Sequence, residues 1–440
     1  MMNPPGSLVI RMMTRIIQSQ PFPKRRLSSH ERSPPRAPTV PPLIVNMHAT
    51  IASTGVVSRR ASTPSRRFSS RIPEGTQFAA TRRVTRFPAR DRRAVVTAHH
   101  GPVMNLQFTP DSALAGGLVL GSMVVAKRLN AGKNLGISVE TKAFARGQGK
   151  ATNASFLLGL VAAGYLAPTI LGAQAPVAMV EAPRAIIAGA LVGFGSSLGC
   201  GCTSGHGISG NGQLLVRSMV YTCVFMAVGA AVVAATGTLD ELHVSQATKT
   251  LDAVARSPEA KRLLYGKVLA AGVAIQAILY ALAKREGGGV TDVVKRLEMV
   301  SEHFAGLFFG LGLVISGMTN PAKVAGFLAV TSRAFDPSLM FVMGGALALV
   351  VSARFLARNV LGVTRPSMAR AFTTAPKYVD NKLLLGAVLF GAGWGLAGIC
   401  PGPGLVSLSS GGREITLWCA AYLLGQKVHA QLDAEGALEM

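Results

Sequence analysis

Charged and large aromatic residues are scarce in this sequence, and that scarcity excludes most soluble enzymes. Only 15% of its 440 residues are charged, and it holds six tyrosines and two tryptophans. Glycine, in contrast, occurs 49 times, and 49% of the residues are hydrophobic. Glycine is more frequent in membrane helices than in soluble ones. The composition therefore predicts an integral membrane protein.

Signatures of phosphate recognition are also missing. The sequence has no Walker loop (GxxxxGK followed by Ser or Thr), which excludes ATP as the energy source of the single chain. The net charge is +25, but residues 1–100 carry 18 Lys and Arg against three acids, and no basic domain with interspersed aromatic residues follows. We therefore expect no nucleic-acid partner, no cofactor and no enzymatic activity.

Residues 1–105 form a basic N-terminal arm. Its first hundred residues hold 12 of the 24 prolines, and such a segment cannot bury enough apolar surface to fold. An N-terminus rich in Arg and Ser and poor in acids is typical of organelle transit peptides. The arm predicts a mitochondrial inner or plastid envelope membrane. The alternative is a disordered cytosolic arm on a plasma-membrane protein.

From about residue 112 onwards, apolar stretches alternate with polar loops. Each stretch is long enough, or nearly so, to cross about 30 Å of hydrocarbon. The pattern predicts an all-α, polytopic transmembrane helical bundle of about nine spans: 112–128, 153–172, 184–199, 214–237, 263–283, 303–319, 337–357, 382–398 and 413–428. The basic loops 127–150 and 354–382 follow the first and seventh spans. We therefore expect both loops on the inner side of the membrane.

An internal repeat divides the membrane part into two halves. A shift of 198 residues places GALVGFGSSLGCGC (189–202) on AVLFGAGWGLAGIC (387–400), and a shift of 190 places NAGKNLG (130–136) on NPAKVAG (320–326). The repeats are predicted at 112–237 and 303–428, joined by connecting loops and a linking span at 238–302 and followed by a tail at 429–440. Because the halves are offset by five spans, they are predicted to be inverted, with a site at re-entrant or broken helices near the midplane.

The stretch GCGCTSGHGISG (199–210) holds the densest candidate chemistry. The sequence has five cysteines, an odd number, and all of them lie in or beside apolar segments. Such a set does not resemble a disulfide framework. A metal site is disfavoured, because the repeat copy supplies one cysteine and no histidine. The thiols of Cys200, Cys202 and Cys400 then either pack as small hydrophobes or line a path for a soft anion.

Other candidate binding residues lie beside these cysteines or in the second repeated stretch. Gly201 and Gly205 would open the backbone of the loop, and His206 would either hydrogen-bond the backbone or carry a proton. Asn130 with Lys133 and Asn320 with Lys323 would either cap helices and reach the interface, or form an electropositive vestibule.

Four ordered segments carry a resemblance to a known family. GCGCTSGHGISG, FGLGLVISGMTNPAKVAGFL, DPSLMFVMGGALALV and GWGLAGICPGPGL resemble the YeeE/YedE sulfur-transport family over most of 112–428. The resemblance implies an hourglass-shaped bundle of inverted repeats that passes thiosulfate between cysteine thiols. Cys202 and Cys400 match the family positions, but a further cysteine expected in the first helical hairpin is missing between residues 112 and 153.

Together these features predict a transporter or channel in the lipid bilayer for a small sulfur oxyanion. Thiosulfate is the preferred substrate, and sulfite, sulfide or a persulfide are alternatives. Two other functions are considered. The chain could be a membrane sulfurtransferase that forms a cysteine persulfide and serves a sulfurtransferase or persulfide-handling partner, or a structural membrane subunit with inert thiols.

Overall fold

The computed structural model describes residues 108–172, 179–244, 257–287, 291–374, 376 and 378–438. The N-terminal arm, 1–105, lies outside the described residues, so the transit peptide remains a prediction. Within the described ranges the chain consists of helices and irregular connections, without a β-strand. The all-α prediction is therefore confirmed for this part of the chain.

The first half alternates long and short helices. It consists of α1 Pro110–Ala131, the short α2 Ile137–Ala145, α3 Ala151–Leu171, α4 Ala182–Leu198, a π-helix Thr203–Gly210 with a 3-10 turn Asn211–Gln213, and α5 Val216–Thr236. A linking region follows, with α6 Thr238–Val244 and α7 Pro258–Arg285.

The second half has the same order of elements. It consists of α8 Asp292–Ile315, the short α9 Pro321–Leu328, α10 Ser338–Phe355 with a π-helical turn Leu356–Val360, α11 Asn381–Ala397, the short α12 Pro401–Ser407 and α13 Arg413–Ala434. Five residues separate α1 from α2 and α8 from α9. In each half the third long helix, α4 or α11, ends at a break that contains a cysteine.

Every predicted span coincides with a helix, but the helices differ in how apolar they are. In the part of the chain that the structure describes, seven are long and apolar enough to cross a membrane, and α4 together with residues 203–213 forms a pair bent by 45° that brings the number to eight if the pair is one span. Helix α13 does not meet the same criterion. Helix α8 begins at Asp292, well before the predicted 303, because the Thr291 side chain accepts a hydrogen bond from the Val294 backbone and caps a polar first turn.

Equivalent helices of the two halves exchange partners. Helix α4 packs on α13 and its counterpart α11 on α5, while α3 packs on α8 and its counterpart α10 on α1. Glycines bring these backbones together: a Cβ atom at Gly193 would lie 2.0 Å from the Tyr422 carbonyl oxygen, and one at Gly391 would lie 2.6 Å from that of Phe225. Small residues of this kind are what allow membrane helices to approach closely.

The central pair α4 and α11 runs antiparallel. Gly195 contacts Phe390, whereas Gly393 contacts Ala188, so residue numbers rise along one helix as they fall along the other. The same is true of α1 and α8. Each half therefore meets its counterpart with reversed chain direction.

The two basic loops lie on the same side of the bundle, as their charge predicts. The Thr373 backbone amide donates to the Gly132 carbonyl at 2.8 Å, and the Ser367 amide donates to the Leu129 carbonyl at 2.9 Å. These bonds join the loop after α1 to the loop after α10. The first loop is less exposed than its composition suggests, because Lys127 lies in α1 and Glu140 in α2, and both are buried.

Candidate functional site

Cys202 and Cys400 occupy the same local position in the two halves. Each immediately precedes the short helix that follows an interruption of a long helix. Each has an extended backbone, with φ of −128° at Cys202 and −97° at Cys400. Their carbonyl oxygens accept from the amides four residues on, at 2.8 Å from His206 and 2.9 Å from Gly404. Both side chains are buried, with 1% of their surface exposed. The match found by the 198-residue shift is therefore structural as well as sequential.

The fold places these two thiols in one buried region. The Cys400 side chain hydrogen-bonds Thr203, the residue that follows Cys202, and it lies within electrostatic range of Cys202. Cys202 Sγ is 3.2 Å from Ser204 Oγ, which also accepts from the Ile137 amide at 3.2 Å. Thiols and hydroxyls thus form one buried cluster where the two breaks and the start of α2 converge.

Two tyrosines that the sequence patterns did not indicate, Tyr221 and Tyr422, lie within electrostatic range of Cys202. The Tyr221 hydroxyl donates to the Gly201 carbonyl at 3.0 Å, and the Tyr422 hydroxyl is 2.7 Å from Thr141 Oγ1. The hydrogen-bonding groups at Cys202 and at the adjacent Gly201 are therefore uncharged hydroxyls within an otherwise apolar core.

Cys200 differs from Cys202 and Cys400 in exposure and conformation. Its φ is +59°, in the left-handed region that favours glycine, and its side chain is exposed. It lies in electrostatic range of Lys142, whose ammonium group donates to the Ser197 carbonyl at 2.6 Å. Cys200 is thus the thiol with a cationic neighbour, whereas Cys202 faces the buried cluster.

His206 is held at both ring nitrogens. Nδ1 lies 3.0 Å from Ser218 Oγ, Nε2 lies 3.1 Å from the Gly199 carbonyl oxygen, and the ring stacks on Tyr221 with centroids 4.1 Å apart. Gly201 leaves room for this ring, because a Cβ there would lie 2.5 Å from His206 Cδ2. These contacts favour the structural interpretation of His206, which fastens the broken segment to α5.

Gly205 provides a close approach between two backbones. A Cβ at Gly205 would lie 3.7 Å from the Cα atom of Gly136, the residue that precedes α2. The π-helix therefore packs against the start of α2. This contact is consistent with the predicted open backbone of the motif.

The asparagines and lysines matched by the 190-residue shift are not equivalent, and that alignment is wrong. Asn130 lies inside α1, where its Nδ2 donates to Gln276 Oε1 at 2.8 Å, whereas Asn320 caps α9 by accepting from the Ala322 amide at 3.0 Å. The five-residue connections instead place Gly136 opposite Asn320, because each immediately precedes a short helix.

The two lysines of that alignment do not gather into one vestibule. Lys133 pairs with Glu298 at 2.8 Å. Lys323 pairs with Asp336 at 3.3 Å and donates to Thr109 Oγ1 at 2.7 Å. Because a carboxylate already neutralises each ammonium group, the structure favours the capping and packing interpretation for these residues.

A buried ion cluster surrounds Lys127, near the end of α1. Lys127 Nζ is 2.8 Å from Glu140 Oε1 and 2.5 Å from Glu302 Oε2, and all three side chains are at most 5% exposed. Burial alone would raise the pKa of Glu140, but Lys127 overcomes this effect and holds it below its usual value. The cluster joins α1, α2 and α8. Within the described residues, no group of three or more His, Cys, Asp or Glu side chains could hold a metal ion.

An apolar helical bundle with a buried polar centre defines an integral membrane protein, and the comparisons place it among transporters. A "Probable transporter" of Xylella fastidiosa strain Temecula1 is 41% identical over 129 residues, which are 29% of this chain and 85% of the relative. One from strain 9a5c is 41% identical over 129 residues, 29% of this chain and 86% of the relative. A second "Probable transporter" of strain Temecula1 is 40% identical over 120 residues, 27% of this chain and 88% of the relative.

The chain belongs to the family of these probable transporters. In addition, residues 297–438 match a family described as "Family of unknown function (DUF6691)". That match covers the second half of the bundle, from α8 to α13. Neither the names nor the description specifies a substrate.

Proposed function

We propose that the chain is a YeeE/YedE-type transporter or channel for a small sulfur-containing anion, with thiosulfate as its substrate. The observation that carries the proposal is that Cys202 and Cys400, two buried thiols at equivalent helix breaks, lie within electrostatic range of each other. A thiol is a weak hydrogen-bond donor with a soft, polarisable surface. It suits an anion that ends in sulfur.

The uncharged surroundings of the thiols favour conduction over storage. Thr203 and Ser204 place hydroxyl groups beside the sulfur atoms. These hydrogen bonds of Cys202 and Cys400 involve no Lys or Arg side chain. Conduction needs sites that are favourable but shallow, and a fixed cation would hold a dianion too tightly. The cluster fits that requirement.

We propose further that the two halves are inverted repeats and that their short helices are re-entrant. The exchanged pairing of α4–α13 with α11–α5, and the antiparallel central pair, support this arrangement. Inverted repeats place a site at interrupted helices near the bilayer midplane. An interrupted backbone is tolerated there because protein, not lipid, surrounds it.

The length of the relatives supports the proposed division into two repeats. Each matches less than a third of this chain, and two of them occur in one Xylella strain. We propose that such relatives correspond to single halves, so that this chain joins in one polypeptide what two short proteins supply elsewhere.

A membrane sulfurtransferase is the second candidate function. Sulfur transfer requires a thiolate activated by a base or a cation. His206 has both ring nitrogens engaged, but exposed Cys200 lies in range of Lys142. A transferase would therefore use Cys200 and a soluble partner, and leave Cys202 and Cys400 as packing groups.

Uptake by proteoliposomes distinguishes these functions. We expect entry of labelled thiosulfate to fall about tenfold or more in Cys202→Ala and Cys400→Ala, because about 1.4 kcal/mol on a barrier changes a rate tenfold. Cys419→Ala, a buried thiol of α13 outside the breaks, is the matched control and should transport normally. Equal entry in all variants refutes the thiol path. A persulfide on Cys200 in the mass spectrum, lost in Cys200→Ser, supports transfer instead.

The membrane in which the protein resides is also a proposal. The basic, acid-poor arm favours a mitochondrial inner or plastid envelope membrane. A fluorescent protein fused after residues 1–100 should enter one of these organelles. A fusion protein that stays in the cytosol would favour the plasma membrane for the full chain.

A further inference from the structure

A cavity of about 550 Å³ lies on the basic side of the bundle, between the ends of α1 and α10. Three arginines line it: Arg128 in the last turn of α1, Arg354 in the last turn of α10, and Arg358 in the π-helical turn that follows. Among the described residues, no carboxylate lines it. This part of the lining thus combines three positive charges with no negative one.

Arg128 is half-buried and Arg354 and Arg358 are exposed, and within the described residues no ion pair joins any of them to a carboxylate. Lys127, Lys133 and Lys323 each pair with a carboxylate. Arg128 instead donates to the carbonyl oxygens of Gly132 and Thr373, at 3.0 and 2.8 Å, and Arg354 donates to the Gln213 carbonyl. Arg128 and Arg354 are also close enough to repel each other. An anion in the cavity would relieve that repulsion.

Most of the other lining residues are apolar and the remaining ones are uncharged, which indicates the kind of anion that fits. Val350, Ala353 and Phe372 form part of the wall. A small dianion gains nothing from such groups, and it would occupy little of the volume. A phosphate with attached hydrocarbon would use both parts of the lining.

The outer surface beside the cavity favours a lipid as the source of that phosphate. Three exposed apolar side chains lie at or just after the end of α10: Phe355, Val360 and Leu361, which are 63%, 64% and 65% exposed. Exposed apolar side chains here face the hydrocarbon of the bilayer, and the arginines one turn away then lie at headgroup level. Anionic lipids are enriched on the side of a membrane to which basic loops belong, and basic pockets between helices bind their headgroups.

We propose that the arginine cavity binds the phosphate headgroup of an anionic phospholipid, with the acyl chains along the exposed face of α10. The bound lipid bridges α1 and α10, the ends of two helices from different halves. It also contacts the segment after the thiols, because Ser209 and Gln213 belong to the cavity wall. The site is independent of the thiol path proposed above.

Lipid titration of the full-length protein in detergent tests this assignment. We expect phosphatidylglycerol to bind with clearly higher affinity than phosphatidylcholine, as measured by native mass spectrometry. Arg354→Gln/Arg358→Gln should weaken phosphatidylglycerol binding about 30-fold, since each basic side chain near a membrane surface contributes about a fivefold factor. Arg285→Gln/Arg333→Gln removes two exposed arginines outside the cavity and should bind as the unaltered protein does.

Three further measurements keep the assignment open to refutation. Ala357→Trp narrows the cavity without removing charge and should also weaken binding, which covers the case of a double variant that does not fold. Cys202→Ser should bind phosphatidylglycerol normally, so failure of the thiol path and failure of the lipid site are distinguishable. Equal binding of the two lipids, or full displacement of phosphatidylglycerol by millimolar inorganic phosphate, would overturn the proposal, the latter in favour of a free anion.

Discussion

The buried cluster of Lys127, Glu140 and Glu302 makes the sharpest prediction about stability. Replacement of Lys127 by Met keeps the length of the side chain but leaves two carboxylates facing each other, with side chains at most 5% exposed. Removal of one partner from a buried ion pair costs about 3–5 kcal/mol. We therefore expect Lys127→Met to lower the Tm in detergent by roughly 10 °C, at about 2–4 °C per kcal/mol.

The structure supplies a matched control for this substitution. Lys133 pairs with Glu298 at the same 2.8 Å distance, but its side chain is 37% exposed. Because surface ion pairs contribute about 0–1 kcal/mol, Lys133→Met should shift the Tm by no more than a few degrees. Lys127→Met/Glu302→Gln should regain much of the loss, because only one buried carboxylate can then be charged. If Lys127→Met melted within the range of Lys133→Met, the cluster would not stabilise the bundle and the reasoning would fail.

Four further predictions concern other parts of the fold. Gly193→Val should prevent the close contact with α13 and abolish a stable fold, whereas Gly344→Ala, where a Cβ meets nothing within 4 Å, should be neutral by thermal melting. Because folding lowers the pKa of Glu140 below its ordinary value of 4.5, the stabilisation by its carboxylate is present above that pH and is lost as the pH falls through the pKa of the folded state. The Tm measured below about pH 4.5 should therefore fall less steeply in Glu140→Gln. His206→Ala should lower the Tm without altering the pH profile of uptake, and a changed profile would show that the ring carries a proton. Chains 1–244 and 257–440, expressed together, should assemble and transport, while either alone should not.

The features that depend on local pattern could be predicted from the sequence. Each of the nine predicted spans overlaps a helix, but within the described residues only seven helices, or eight with the bent pair, are apolar enough to cross hydrocarbon, and α13 is not among them. The 198-residue shift matched Cys202 with Cys400, and each of them precedes a short helix after a break. The charge of the basic loops predicted that they share one side of the bundle, and that this side is the inner one stays a prediction.

The 190-residue alignment failed for an equally physical reason. Asn130 and Asn320 occur in similar short sequences, but Asn130 lies within α1 whereas Asn320 caps α9. Short glycine-rich stretches recur by chance in membrane sequences, so register has to be set by the helix boundaries. These boundaries depend on capping and on packing against distant segments.

Taken by itself, the sequence determined the membrane class, the helices and the pairing of two cysteines, because each follows from periodicity or repetition along the chain. Only the tertiary structure decided which charges are buried together, which tyrosines lie within electrostatic range of Cys202, and where uncompensated arginines surround a cavity. From the sequence alone, Lys127 belongs to the first basic loop. In the structure it pairs with Glu302, which lies 175 positions away in the chain. Partners so distant in the chain are chosen by the way helices pack, and no local pattern records that choice.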